Sequence, residues 1–75
     1  MTYRILAAAA AAREAEERKI TARYGRAIGL TDEETQEVVT AWLGWYDRSP
    51  HRVSWTNIRN RLAARALGDP WEPQS

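Results

Sequence analysis

Between residues 36 and 47 the apolar side chains Val38, Val39, Ala41, Trp42, Leu43, Trp45 and Tyr46 gather on one side of a helical wheel. At 100° per residue they span about 160°, and Gln36, Glu37, Thr40 and Asp47 take the opposite side. This spacing predicts an amphipathic helix over residues 32–47. Its start is marked by Thr31-Asp32-Glu33-Glu34, where Thr31 can cap the helix, Glu34 can reach back to it, and the acids complement the helix dipole. A second stripe, Trp55, Ile58, Leu62 and Ala66, recurs at i, i+3, i+7 and i+11 and predicts a helix over 54–67. Ser54 caps it, with Asn57 three residues on, and Gly68-Asp69-Pro70 stops it. Between the two, Pro50 disfavours helix at Ser49 and supplies no amide, so 48–53 is a loop.

The first part of the chain has no such stripe, yet nothing before Gly25 opposes helix, and alanine, arginine and glutamate favour it. A helix over residues 3–28 follows. Gly29 is suited to a left-handed cap that folds Leu30 back on Tyr24; Gly25 is the one place where the helix could stop a turn earlier. The tail, 68–75, is irregular, with Trp71 placed to dock on the body. With no strand signal and no repeat, the chain reads as one all-α domain over residues 1–75: three helices, a long N-terminal helix and no strands.

The length of that first helix matters. Twenty-six residues make about 39 Å at 1.5 Å each, whereas a compact chain of this size has a radius of gyration of about 11 Å and a diameter near 30 Å. Ile20, Tyr24, Ala27 and Ile28 are expected to face the two shorter helices, which leaves the six alanines of residues 7–12 without a neighbour. Small side chains permit close helix approach, so residues 5–20 are a candidate homodimer contact or a contact for another protein. The competing reading is an alanine helix that stands in water on propensity alone. Glu14 and Arg18 form one of several opposite-charge pairs along it.

Composition narrows the chemistry. The 75 residues contain no cysteine and one histidine, His51, so neither a disulfide framework nor an ordinary zinc site can be assembled, and no metal or cofactor is expected. General acid-base catalysis needs groups converging in a pocket, which a short helical chain with one loop histidine does not promise. Tyr24-Gly25-Arg26 and its neighbours lack the lysine and hydroxyl of a phosphate-binding loop. A non-enzymatic binding protein is the expectation. A basic residue followed by an apolar run at the start superficially resembles a signal peptide. Alanine is only weakly apolar, however, charge follows at once, and the run falls short of the roughly 20 residues that span a bilayer. The expected location is cytoplasmic, with no membrane partner. Ten arginines against one lysine, with abundant alanine, suggest a GC-rich bacterial or phage genome.

Net charge is +1, but the charges are segregated. Residues 31–47 hold five acids and no base; residues 48–68 hold five arginines and no acid. With the third helix oriented by Trp55 and Leu62, its outer side carries Thr56, Asn57, Asn60 and Arg61, flanked by Arg59 and Arg65. Asparagine suits adenine, arginine suits guanine, and threonine suits the thymine methyl. Arg48 and Arg52 in the preceding loop are placed to hold phosphates. These eight residues make a candidate DNA-binding surface for a small regulatory protein. The loop of about seven residues is longer than the turn of 3–4 in a standard helix-turn-helix, so a different docking geometry is implied. The acids of 31–47 supply a second explanation, neutralisation of the arginines within the fold. A different class of function rests on Trp42, Trp45 and Tyr46, since aromatic residues anchor protein interfaces. On that reading the chain is an adaptor, or a small phage-type inhibitor, acting through the aromatic second helix and the alanine-rich first. Burial of the tryptophans distinguishes the two.

Overall fold

The computed structural model describes residues 2–74, with side chains from residue 5 onward. It contains three helices, α1 (Thr2–Ala27), α2 (Asp32–Asp47) and α3 (Trp55–Leu67), and no strand among the described residues. None of the helices is long and apolar enough to cross a membrane.

Each boundary has a local cause. α1 ends where Gly29 turns left-handed at φ 89°; the Leu30 amide then donates to the Gly25 carbonyl at 2.9 Å and the Gly29 amide to Arg26 at 3.1 Å, closing a Schellman cap. α3 ends in the same way at Gly68, with φ 79° and an Asp69 amide donating to Ala64 at 2.9 Å. Ser54 accepts from the Asn57 amide at 3.1 Å, so it is the cap and the helix proper begins at Trp55. At the start of α2 the capping box is complete: Glu34 N donates to Thr31 Oγ1 at 3.0 Å and Thr31 N donates to the Glu34 carboxylate at 2.8 Å.

That reciprocal pair leaves a pH signature. The Thr31 amide, and then its side chain, hold the Glu34 carboxyl below its ordinary value, with Arg65 adding to the effect; Arg26 does the same to Asp32 through its hydrogen bonds and then its charge. A carboxylate whose value is lowered in the folded state stabilises the fold above its ordinary range and loses that contribution as pH falls through the lowered value. Thermal stability should therefore decline as pH drops below about 4. Glu34→Gln, which keeps the capping geometry, should flatten part of that decline. Acid melting curves with the same slope for both proteins would refute the assignment.

The start of α3 meets the end of α2 where Asn57 bonds Tyr46, and its end meets the start of α2 where Arg65 nears Glu34, so the two run antiparallel; Gly25, near the end of α1, faces Thr35 in the first turn of α2. The buried apolar residues are Leu30, Val38, Val39, Trp42, Tyr46, Ile58 and Leu62, with Tyr24, Ile28, Leu43, Trp45, Trp55 and Trp71 half-buried around them. α2 supplies most of this core, as its wide apolar arc requires. The tail joins it: Trp42 Nε1 donates to the Trp71 carbonyl at 2.7 Å, and the Arg65 guanidinium lies 5.8 Å from the Trp71 ring.

Two expected faces turn out differently. On α1 the buried positions are Thr21 and Gly25, while Ala27 is exposed, Ile20 is 38% exposed, and Tyr24 and Ile28 are only half-buried. Gly25 lets α2 approach closely, since a β-carbon there would strike the Thr35 side chain. On α3 the inward line is Ile58, Leu62 and Arg65 rather than one ending at Ala66, which is exposed. Arg65 lies half-buried against α2, its guanidinium 3.6 Å from Glu34 and 3.8 Å from Glu37, and this fixes the rotation of the last turn.

The molecule measures 47 × 28 × 17 Å with a radius of gyration of 13.5 Å, above the roughly 11 Å of a compact chain. Every residue from 5 to 16 is exposed. The core begins beyond them, so this half of α1 projects from the body.

Candidate nucleic-acid interface

The surface centres on the end of the bundle where α2 passes into α3. α2 closes at Arg48, whose amide donates to Trp45 at 3.2 Å. Pro50 then redirects the chain, and Ser49 Oγ accepts from the His51 amide at 3.1 Å. The short return brings the His51 ring parallel to Trp45, 5.9 Å between centroids and 9° between planes. Trp45 in turn meets Trp42 and Tyr46 edge-on, at 5.5 and 5.1 Å, giving one continuous aromatic block.

α3 brings polar groups to this block. Asn57 Nδ2 donates to the Tyr46 hydroxyl at 3.0 Å, and the Arg61 guanidinium lies 4.7 Å from the centre of the Trp42 ring. A guanidinium over a ring face is attracted to it and can still donate N–H groups to an acceptor. Arg61 forms no ion pair among the described residues, in contrast to its neighbours on the helix. Between the aromatic block, Arg52, Asn57 and Arg61 lies a cleft of about 400 Å³. A second, of about 530 Å³, opens on the other side of the Trp45–His51 stack beside Arg48 and Gln74. No carboxylate lines either one.

The eight candidate residues thus divide. Arg48, Arg52, Thr56 and Asn60 are exposed; Asn57 and Arg61 are half-buried at the cleft. Arg59 and Arg65 are committed elsewhere. Arg59 Nη1 donates to Glu17 at 2.7 Å and to Thr21 at 3.4 Å, tying α3 to α1, while Arg65 serves Glu34 and Glu37 on α2. Trp42 and Tyr46 are 6% and 8% exposed and belong to the core, so of the three aromatic residues considered for a protein interface only Trp45 retains appreciable surface.

No family model, curated protein or solved structure matches this chain.

His51, which the sequence places in the loop with Arg48 and Arg52, stacks on Trp45, a contact that the sequence reading did not give it. The available signal was Ser49-Pro50-His51 directly after an aromatic helix end: a short loop that cannot stay helical must fold back over the last turn. Pairing of Arg59 with Glu17 had no comparable signal, since 42 residues separate them.

Proposed function

We propose that the protein is a small non-enzymatic DNA-binding regulatory protein that holds its target at the α2–α3 end. The observation that carries this reading is the rim of Arg48, Arg52 and Arg61 around an aromatic wall with no carboxylate among its lining residues. Cations of this kind hold phosphates and position a strand. Trp45 and His51 offer planar faces for a base, since stacking on an aromatic ring tolerates any sequence. Thr56 and Asn60, exposed along the outer side of α3, add donors and acceptors for base edges. Arg59 and Arg65 have no part in it: Arg59 is hydrogen-bonded to Glu17, and Arg65 is turned towards Glu34 and Glu37 on α2.

Fluorescence anisotropy against mixed-sequence DNA, as duplex and as single strand over a range of salt, tests the proposal. Three phosphate contacts give a log-log slope of about −2.7 on duplex, or about −2.1 on a single strand. Arg52→Ala and Arg61→Ala should each reduce the slope by about one contact. Arg59→Ala and Arg65→Ala should leave it unchanged. Equal effects from all four, or no binding at low salt, would overturn the reading. Tighter binding to the single strand would assign the aromatic block the larger role.

A further inference from the structure

The projecting half of α1 takes no part in that surface, and it is the largest unexplained feature of the molecule. Helices in proteins draw most of their stability from packing an apolar face, yet every residue from 5 to 16 is exposed in this chain. We propose that this segment pairs with the same segment of a second copy, so that the protein is a two-fold homodimer held together through α1.

Area is the first argument. The chain exposes 5697 Å², whereas a compact monomer of 8.6 kDa exposes about 4,700 Å². The excess, about 1,000 Å², is close to the roughly 800 Å² that each partner contributes to a stable interface of standard size. The chemistry of the excess surface is the second. Ile5 and Leu6 are 69% and 63% exposed, and six alanines follow them. Their small side chains let two helix backbones come close. Where the projection leaves the body, α1 and the start of α3 form an open notch of about 860 Å³, with Ala10 and Ala11 on one side and Val53 and Trp55 on the other. Val53 is 44% exposed in a loop where no helix of this chain covers it.

Charge selects the occupant. Residues 5–12 carry none, and residues 13–19 carry Arg13, Arg18 and Lys19 against Glu14, Glu16 and Glu17. This net-neutral alternation gives no attraction for a strongly acidic or basic partner. A second copy presents the same uncharged stretch to bury and the same mixed flanks to pair. A two-fold contact needs one self-complementary patch, which a small-residue helix with balanced ends provides. The contact does not depend on the DNA reading: Arg48, Trp45 and Arg61 lie outside the notch, while Arg52 and Ser54 border both the notch and the cleft and Thr56 lines the notch.

Sedimentation equilibrium of the full chain, from micromolar to millimolar concentration and without DNA, is the test. A reversible approach to twice 8.6 kDa is expected. Ala10→Glu places a charge on the contact at an exposed position, where the isolated chain tolerates it, and should raise the dimer dissociation constant by about 30-fold or more. Val53→Glu, which leaves α1 unchanged, should weaken the dimer in the same direction and controls for an effect on the helix itself. A monomer at every concentration overturns the inference, as does a dimer that both variants leave intact. Arg61 lines the cleft and not the notch, so the anisotropy result for Arg61→Ala stands whichever way sedimentation falls, and the two proposals fail separately.

Discussion

Leu62→Ala is expected to lower stability by about 2–5 kcal/mol, the range for truncating a fully buried leucine. Leu62 is completely buried, and so is Ile58 one turn before it; the two are the fully buried apolar residues of α3, with Trp55 half-buried beside them. A chain of this length has a total stability of about 4–11 kcal/mol at 0.05–0.15 kcal/mol per residue, so the lost methyl groups represent a large share of it. At about 4–8 °C per kcal/mol for small domains, the melting temperature should fall by about 10 °C or more. Thermal unfolding followed by circular dichroism measures this directly. Leu67, five residues on and 77% exposed, provides the control: Leu67→Ala should shift the midpoint very little. Similar midpoints for the two variants would mean that α3 does not pack on its Ile58–Leu62 side.

Gly25→Ala carries the second large effect, and its sign is the informative part. On an exposed helix face this substitution stabilises by roughly 0.5–1 kcal/mol, because glycine surrenders more backbone freedom on folding than alanine. Here α1 and α2 are so close that the added carbon would meet the Thr35 hydroxyl, with Cγ2 and Cβ of that side chain only 3.0 and 3.1 Å away. Thr35 cannot easily swing aside, since its Oγ1 donates to the Thr31 carbonyl at 3.0 Å and its residue is buried. Overpacking of a tight contact costs about 1–3 kcal/mol, which outweighs the propensity gain. Net destabilisation is expected. Removing most of the obstacle with Thr35→Ala should recover part of the loss, and a double-mutant cycle on the pair should show a coupling of at least about 0.5 kcal/mol. Stabilisation by Gly25→Ala alone would show that the helices sit further apart.

The same glycine shows where sequence reading stops. By local rules Gly25 is a candidate helix end, and Gly29 is a better one because a cap needs a residue at positive φ followed by an apolar residue. Both statements concern a few neighbouring residues. What they omit is that Gly25 lies mid-helix because another helix needs its missing side chain, and Thr35 is ten positions away. The candidate interface behaves likewise. The arginine content of 48–65 and the oppositely charged segment before it were plain in the sequence, and so was the possibility that one neutralises the other. Which arginines were neutralised was not. A helical wheel puts Arg61 on the outer side and Arg59 and Arg65 at its edges but names no partner for any of them; in the structure one faces Glu17, one lies over Trp42 and one lies near Glu34 and Glu37.

By itself, then, the amino-acid order determined the three helices, their caps, the amphipathic stripe of α2 and the excess length of α1. These follow from contacts within about four residues and from the 1.5 Å rise, which act before any helix meets another. Tertiary structure decided the rotation of each helix about its axis, and with it the burial of Trp42 and Tyr46, the use of Thr21 and Gly25 as the inner face of α1, and the division of the arginines into paired and free. A rotation by one residue is 100°, enough to carry a side chain from solvent to a partner, and only the packing of all three helices at once sets that angle.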